Sequence, residues 1–155
     1  MRGLAIGDGA PDFALPNQHG ESVSLAQFRG RRNVVLVFYP FAFSGVCTGE
    51  LGELRQWVTE LSGDDTTAVL AISCDHMFSL RVFAERERLG FSLLSDFWPH
   101  GEAAATYGVF NAKLGRPDRS TFIIDRAGVL RWRVESAVSQ ARNTGEYRKA
   151  LAEIG

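Results

Sequence analysis

The chain has 155 residues, 45% of them hydrophobic and 23% charged, with a net charge of -1. That length predicts a single domain spanning residues 1–155, large enough to bury about 70% of its unfolded surface. So even a charge balance argues against nucleic acid as a partner, because phosphate binding needs a strong basic excess. No apolar run reaches the roughly 18 residues that a membrane span requires, so no membrane partner is expected. Residues 1–8 break to Gly and Asp before a signal-peptide core can form, which predicts a cytoplasmic location. Reducing surroundings there would keep the two cysteines, Cys47 and Cys74, as thiols.

In chain order, residues 16–22 form a Gly- and Pro-containing loop internal to the domain. Val34 to Tyr39 is continuously apolar and β-branched, which predicts a strand buried on both faces. Pro40 ends it, and its fixed φ turns the chain. From Cys47 onward, Leu51, Leu54, Val58 and Leu61 recur at three- and four-residue steps, one face of a helix. Asp64 and Asp65 mark a loop before a second buried strand, Ala68 to Ser73. Phe78, Leu80, Phe83 and Leu89 predict an amphipathic helix stopped by Gly90, with Arg81, Glu85, Arg86, Glu87 and Arg88 as its solvated face. Phe91 to Leu94 reads as a short strand and Glu102 to Tyr107 as a short helix. Thr121–Ile124 and Val129–Val134 flank the four-residue loop Asp125–Gly128, a β-hairpin pattern. Asn143 with Glu146 resembles a capping box that opens a last helix to about Glu153. This order predicts an α/β fold with a central mixed β-sheet flanked by helices.

Cys47 follows the first buried strand at the mouth of a predicted helix. Sites in open α/β sheets form outside the carboxyl ends of the strands, and the N–H groups of a first helical turn stabilise an anion. A free thiol of pKa ~8.5 is only about 3% thiolate at pH 7, whereas a shift to ~6 makes it roughly 90%. The thiolate is the reacting nucleophile. Ser44, three residues earlier, occupies a natural N-cap position, with its hydroxyl within reach of groups near the sulfur. Taken singly, Cys47 reads as a small buried hydrophobe, Ser44 as a cap and Arg119 as a solvated strand-end charge. Strand, proline, hydroxyl, helix mouth and cysteine together point instead to sulfur chemistry. Cys74 follows the second buried strand, at the same edge of the sheet. Adjacent strands lie ~4.8 Å apart and a disulfide needs Cα atoms within ~7 Å, so a pairing with Cys47 stays open, although the helix start would have to unwind. His19, His76 and His100 share no ligand spacing with each other or with the cysteines, so neither a metal nor another cofactor is expected. Phe41, Phe43, Phe97 and Trp98 read as core or interface residues, or as the walls of an apolar pocket.

Pro40, Ser44 and Cys47 match in full the peroxiredoxin signature Pro-x-x-x-Thr/Ser-x-x-Cys, and the chain resembles that family over most of its length. Gly7 to Phe13 is similar to the family's opening, and Arg119 to Asp125 to its arginine-bearing strand. Leu93 to Gly101 resembles in particular the alkyl hydroperoxide reductase E type, an actinobacterial branch that often works with one essential cysteine. The resemblance implies a thioredoxin-like fold with an N-terminal β extension, and a thiol-dependent peroxidase for hydrogen peroxide and organic hydroperoxides. Cys47 would attack one peroxide oxygen, expel water or an alcohol, and become a sulfenic acid. Low pKa alone does not make a fast peroxidase, since nucleophilicity falls with pKa. The remaining acceleration comes from stabilising charge that spreads over both oxygens. Arg119 matches the family's cation for that task, with the Ser44 hydroxyl and the Val46 and Cys47 N–H groups supplying further hydrogen bonds. Glu50 matches a glutamate that orients the arginine, and equally fits a first-turn carboxylate favoured by the helix dipole. Serine at position 44, where threonine is commoner, keeps the hydroxyl and loses the methyl that restricts its rotamer.

The usual resolving positions of two-cysteine relatives hold no cysteine, so the resemblance implies a one-cysteine cycle. An external thiol would then act as reductant, either a low-molecular-weight thiol or a mycoredoxin- or thioredoxin-like protein, with a homodimer or higher homo-oligomer as the assembly. The alternatives are an atypical two-cysteine peroxidase with Cys74 as resolving cysteine, and a redox-sensing binding module. Thiol–disulfide exchange is disfavoured, because Thr48, Gly49 and Glu50 follow Cys47 in place of a Cys-x-x-Cys pair.

Overall fold

The computed structural model describes residues 4–44, 51, 52, 55, 66–135, 149 and 151–153. Ala14–Pro16 (β1) and Ser22–Ser24 (β2) pair antiparallel, the β extension expected before the main sheet. Asn17 shapes their connection by accepting the His19 and Glu21 N–H groups on its side-chain oxygen, the local bonding that suits asparagine to turns. Then come Asn33–Phe38 (β3), Thr67–Ser73 (β4), the helix Met77–Glu87 (α1), Ser92–Ser95 (β5), the short helix Glu102–Thr106 (α2), Phe110–Asn111 (β6), Arg116–Pro117 (β7), Ser120–Ile124 (β8) and Leu130–Glu135 (β9).

Five strands form one sheet in the order β5-β4-β3-β8-β9. β3, β4 and β5 run parallel, β8 runs antiparallel to β3, and β9 antiparallel to β8. This is the thioredoxin-like mixed sheet. β3 and β8 are buried at every position, which explains why their sequences lack alternation: both faces are covered. On one face Val35, Val37, Ala71 and Ile123 pack with Leu51 and with Leu80 and Phe83 of α1. On the other, Leu36, Phe38, Ile72 and Phe122 pack with Ala104 and Tyr107 at α2 and with Val23 and Leu25 of the N-terminal segment.

Two expectations change in detail, and one feature is new. Helix α1 ends at Arg88 and not at Gly90, because Arg88 takes a left-handed conformation (φ 55) and donates its N–H to the Ala84 and Glu85 carbonyls. That turn brings Leu89 into the core, the hydrophobic closure common at helix C-termini. The β8–β9 loop extends through Val129, since the Asp125 carboxylate accepts the Ala127 and Val129 N–H groups and a bulge shifts the register at Ile124. The β6–β7 ribbon was not anticipated, as two-residue strands carry no periodicity. Leu54, Val58, Leu61, Asp64 and Asp65, and the Asn143–Glu146 capping box, lie outside the described residues.

Phe122 is fully buried, with its ring centroid 5.9 Å from Phe38 and 5.2 Å from Tyr107. Phe122→Ala should cost about 3–5 kcal/mol in urea denaturation with little change in slope. A loss under about 1 kcal/mol would contradict this packing.

Candidate active site

The ladder of β3 ends with Phe38 opposite Ile72 on one side and Ser120 on the other. Tyr39 adds one more bond, donating its N–H to the Ile72 carbonyl at 3.0 Å. Pro40 has no N–H to continue the ladder, and the chain turns away as Phe41–Ser44. Because β8 runs antiparallel to β3, Arg119 falls one residue beyond the Phe38–Ser120 pair, at the level of Tyr39. Its side chain is only 1% exposed, the largest fully buried side chain among the described residues. The reading of Arg119 as a solvated strand-end charge is therefore wrong. A guanidinium cannot shed its proton, so the fold holds a permanent cation out of water at the edge where Pro40 and Ser44 lie. Charge–charge and charge–dipole interactions are far stronger in such surroundings than in solvent. Cys47, Val46 and Glu50 lie outside the described residues, which resume at Leu51.

The turn after Pro40 is tied down at several points. The Ser44 hydroxyl donates to the Phe41 carbonyl at 3.2 Å, and its expected capping role falls on residues outside those described. The Ala42 N–H donates to the Asp75 carboxylate at 2.8 Å. Phe43 has φ 70, a conformation costly for a bulky residue. Its ring packs edge-on against Phe83 at 5.0 Å, with the Arg86 guanidinium 5.8 Å from its centroid. Arg86 thus does more than decorate a solvated helix face. Phe41 and Phe43 are 47% and 44% exposed and Trp98 is 82% exposed, so these aromatics belong to the surface and not the core. His76 sits between the rings of Phe78 and Phe97, 4.9 Å from each. Sequence reasoning missed Asp75 altogether. Its one signal was an acidic residue just past the carboxyl end of a buried strand.

Cys74 is a free, buried thiol. Burial pushes its pKa up to about 12, the Asp96 and Asp75 carboxylates push in the same direction, and a hydrogen bond from the Gly101 backbone opposes them. Asp96 is itself buried, which raises its pKa, while its oxygens accept the Ala103 and Ala104 N–H groups at 3.1 and 2.9 Å. Cys74 therefore faces the start of α2. Leu51, the described residue following the Cys47 segment, packs on the opposite face of the sheet with α1.

Residues 6–133 match the AhpC/TSA family. The chain belongs to it. Alkyl hydroperoxide reductase E of Mycobacterium tuberculosis is 42% identical over 151 residues, covering 97% of this chain and 98% of that protein. Peroxiredoxin Bcp of Escherichia coli K12 is 40% identical over 138 residues, 84% and 85% of the two chains. Among solved structures, peroxidoxin BcpB from Mycobacterium tuberculosis matches with a TM-score of 0.80 at 32% identity, over 96% of this chain and 95% of that one. Enterococcus faecalis AhpC matches at 0.85 and 25% identity, over 96% and 91%.

The protein is thus a peroxiredoxin related to the one-cysteine reductase E type, an oxidoreductase that reduces peroxide through a catalytic cysteine and is recycled by thiols. Within this peroxiredoxin, the surroundings of Cys74 favour the one-cysteine cycle over the two-cysteine alternative. A resolving thiol must ionise to attack, and Cys74 is held neutral.

The raised pKa of Cys74 has a thermodynamic consequence with a definite sign. The neutral thiol's contribution to stability is complete below the ordinary value of 9.0 and is lost as pH rises toward about 12. Between those limits stability should fall by up to about 1.4 kcal/mol per pH unit from this group alone. Denaturation of the wild type and of Cys74→Ala at pH 8.5 and 10.5 should show the steeper decline in the wild type. Equal slopes would contradict the burial of this thiol.

Proposed function

We propose that the chain reduces hydrogen peroxide and organic hydroperoxides through Cys47, with Arg119, Ser44 and Pro40 completing the site and Val46 and Glu50 in support. The observation that carries this reading is the burial of Arg119 at the edge where the Pro40–Ser44 turn leaves the sheet. The Cys47 thiolate attacks one peroxide oxygen, the O–O bond breaks, and the departing oxygen takes a proton to leave as water or an alcohol. The sulfur is oxidised to a sulfenic acid and the peroxide is reduced. Negative charge shifts onto the oxygens as the bond breaks, and a preorganised guanidinium stabilises it without solvent reorganisation. The Ser44 hydroxyl, already donating to the Phe41 carbonyl, presents its lone pairs to the peroxide O–H.

Exposed Phe41 and Phe43 beside this turn suit an organic substituent on the peroxide. The printed name of the reductase E relative supports the same substrate class. With Cys74 held neutral, a thiol from outside condenses with the sulfenic acid, releasing water, and a second thiol then frees Cys47. A mycoredoxin- or thioredoxin-like protein or a low-molecular-weight thiol fits that role. The exposed aromatics Phe78, Phe97 and Trp98 support a homodimer or higher homo-oligomer. A reducing cytoplasmic location suits two cysteines that work as thiols.

Stopped-flow reaction with stoichiometric peroxide should show rapid consumption that Cys47→Ser abolishes and Arg119→Ala slows by about 100-fold or more. Mass spectrometry after one equivalent should find sulfenic acid on Cys47 and Cys74 untouched. A Cys47–Cys74 disulfide would overturn the one-cysteine assignment.

A further inference from the structure

We propose that Asp75 is a positioning residue for the peroxidase site, holding the turn that leads to Cys47 through its bond to the Ala42 N–H; this rests on the peroxidase reading above. The bond is 2.8 Å long and engages the middle of the Pro40–Ser44 turn. A carboxylate accepting a backbone N–H is a charge-assisted bond, stronger and shorter than a neutral one. Asp75 is itself fixed by the ends of two strands. Ser73 of β4 donates its hydroxyl to the same carboxylate oxygen at 2.8 Å and accepts the Asp75 N–H at 3.3 Å. Ser95 of β5 donates its hydroxyl to the Asp75 carbonyl at 2.6 Å. Next along the turn, Phe43 holds the left-handed conformation, which persists only where the surroundings over-determine it. Phe83 and Arg86 contact the Phe43 ring, but ring contacts do not hold the backbone that leads into Phe43. The Asp75 bond fixes the Phe41–Ala42 peptide there, through the Ala42 N–H.

Charge gives the proposal a discriminating sign. A nearby anion disfavours a thiolate, so the negative charge of Asp75 works against ionisation of a cysteine at this edge. Any benefit to the reaction must come from geometry. Deleting the side chain should therefore slow the peroxide reaction while leaving Cys47 at least as ionised.

Two rates measured on the full-length protein test this: the reaction of Cys47 with hydrogen peroxide, and its alkylation by iodoacetamide across pH 5–9. Alkylation needs only the thiolate, whereas peroxide reduction needs the shaped site. Asp75→Ala should lower the peroxide rate by about 10-fold or more with plateau alkylation within about 2-fold and no rise in the Cys47 pKa. Asp75→Asn keeps an acceptor oxygen without the charge, and should restore the peroxide rate to within about 3-fold of the wild type. Asp75→Glu keeps the charge but displaces the acceptor, should behave like Asp75→Ala, and decides the matter if the alanine variant does not fold. Peroxide rates at the wild-type value in Asp75→Ala or Asp75→Glu would overturn the proposal. So would peroxide and alkylation rates falling together, or Asp75→Asn as slow as Asp75→Ala. A wild-type protein inert to peroxide would sink the peroxidase reading first and this inference with it; a reactive wild type with unaffected variants would sink this inference alone.

Discussion

The antiparallel pairing of β3 with β8 is the constraint on which the site depends. In an all-parallel sheet, only strand ends and the loops that follow them reach the carboxyl edge. Here β8 begins where β3 ends, with Ser120 opposite Phe38. A residue just before an entering strand is thereby delivered to the same edge as the turn just after a leaving one. Arg119 is in this way brought level with Tyr39, at the edge where Pro40 turns the chain, although the two are far apart in sequence. Burying a cation is unfavourable unless its donors are engaged, so the ladder must be rigid enough to hold the guanidinium in place. The burial of β3 and β8 on both faces supplies that rigidity.

Much of this was legible in the sequence. The β-branched runs of β3, β4 and β8 announce buried strands, and the peroxiredoxin signature is contiguous, so Pro40, Ser44 and Cys47 can be read without a fold. What failed to show depends on contacts between distant segments. The role of Arg119 is legible only through the family resemblance of Arg119 to Asp125; composition and periodicity alone do not separate a solvated strand-end arginine from one buried at the end of β3. Arg86 reads as one charge among five on a helix face until the turn places Phe43 beneath it. Asp75 carries no motif, and its role exists only because β3 and β4 end side by side. The stop of α1 was misplaced for a local reason: glycine is the usual left-handed residue, but burial of Leu89 obliges Arg88 to turn the chain first.

Cys74 is the sharpest case of context deciding chemistry. It follows a buried strand at the same edge as the signature cysteine, and sequence alone leaves it open as a partner. The structure surrounds it with Asp96 and Asp75 and withdraws it from water. A thiol whose pKa is pushed up to about 12 stays protonated at neutral pH. Attack on a sulfenic acid requires the thiolate, so these surroundings disfavour Cys74 as the resolving group. Asp96 lies at the start of α2, whereas Asp75 acts on Cys74 and also bonds the Pro40–Ser44 turn. Burial and these two carboxylates, set by which loops the strands β4 and β5 bring together, hold the Cys74 thiol protonated and leave recycling to a reductant from outside.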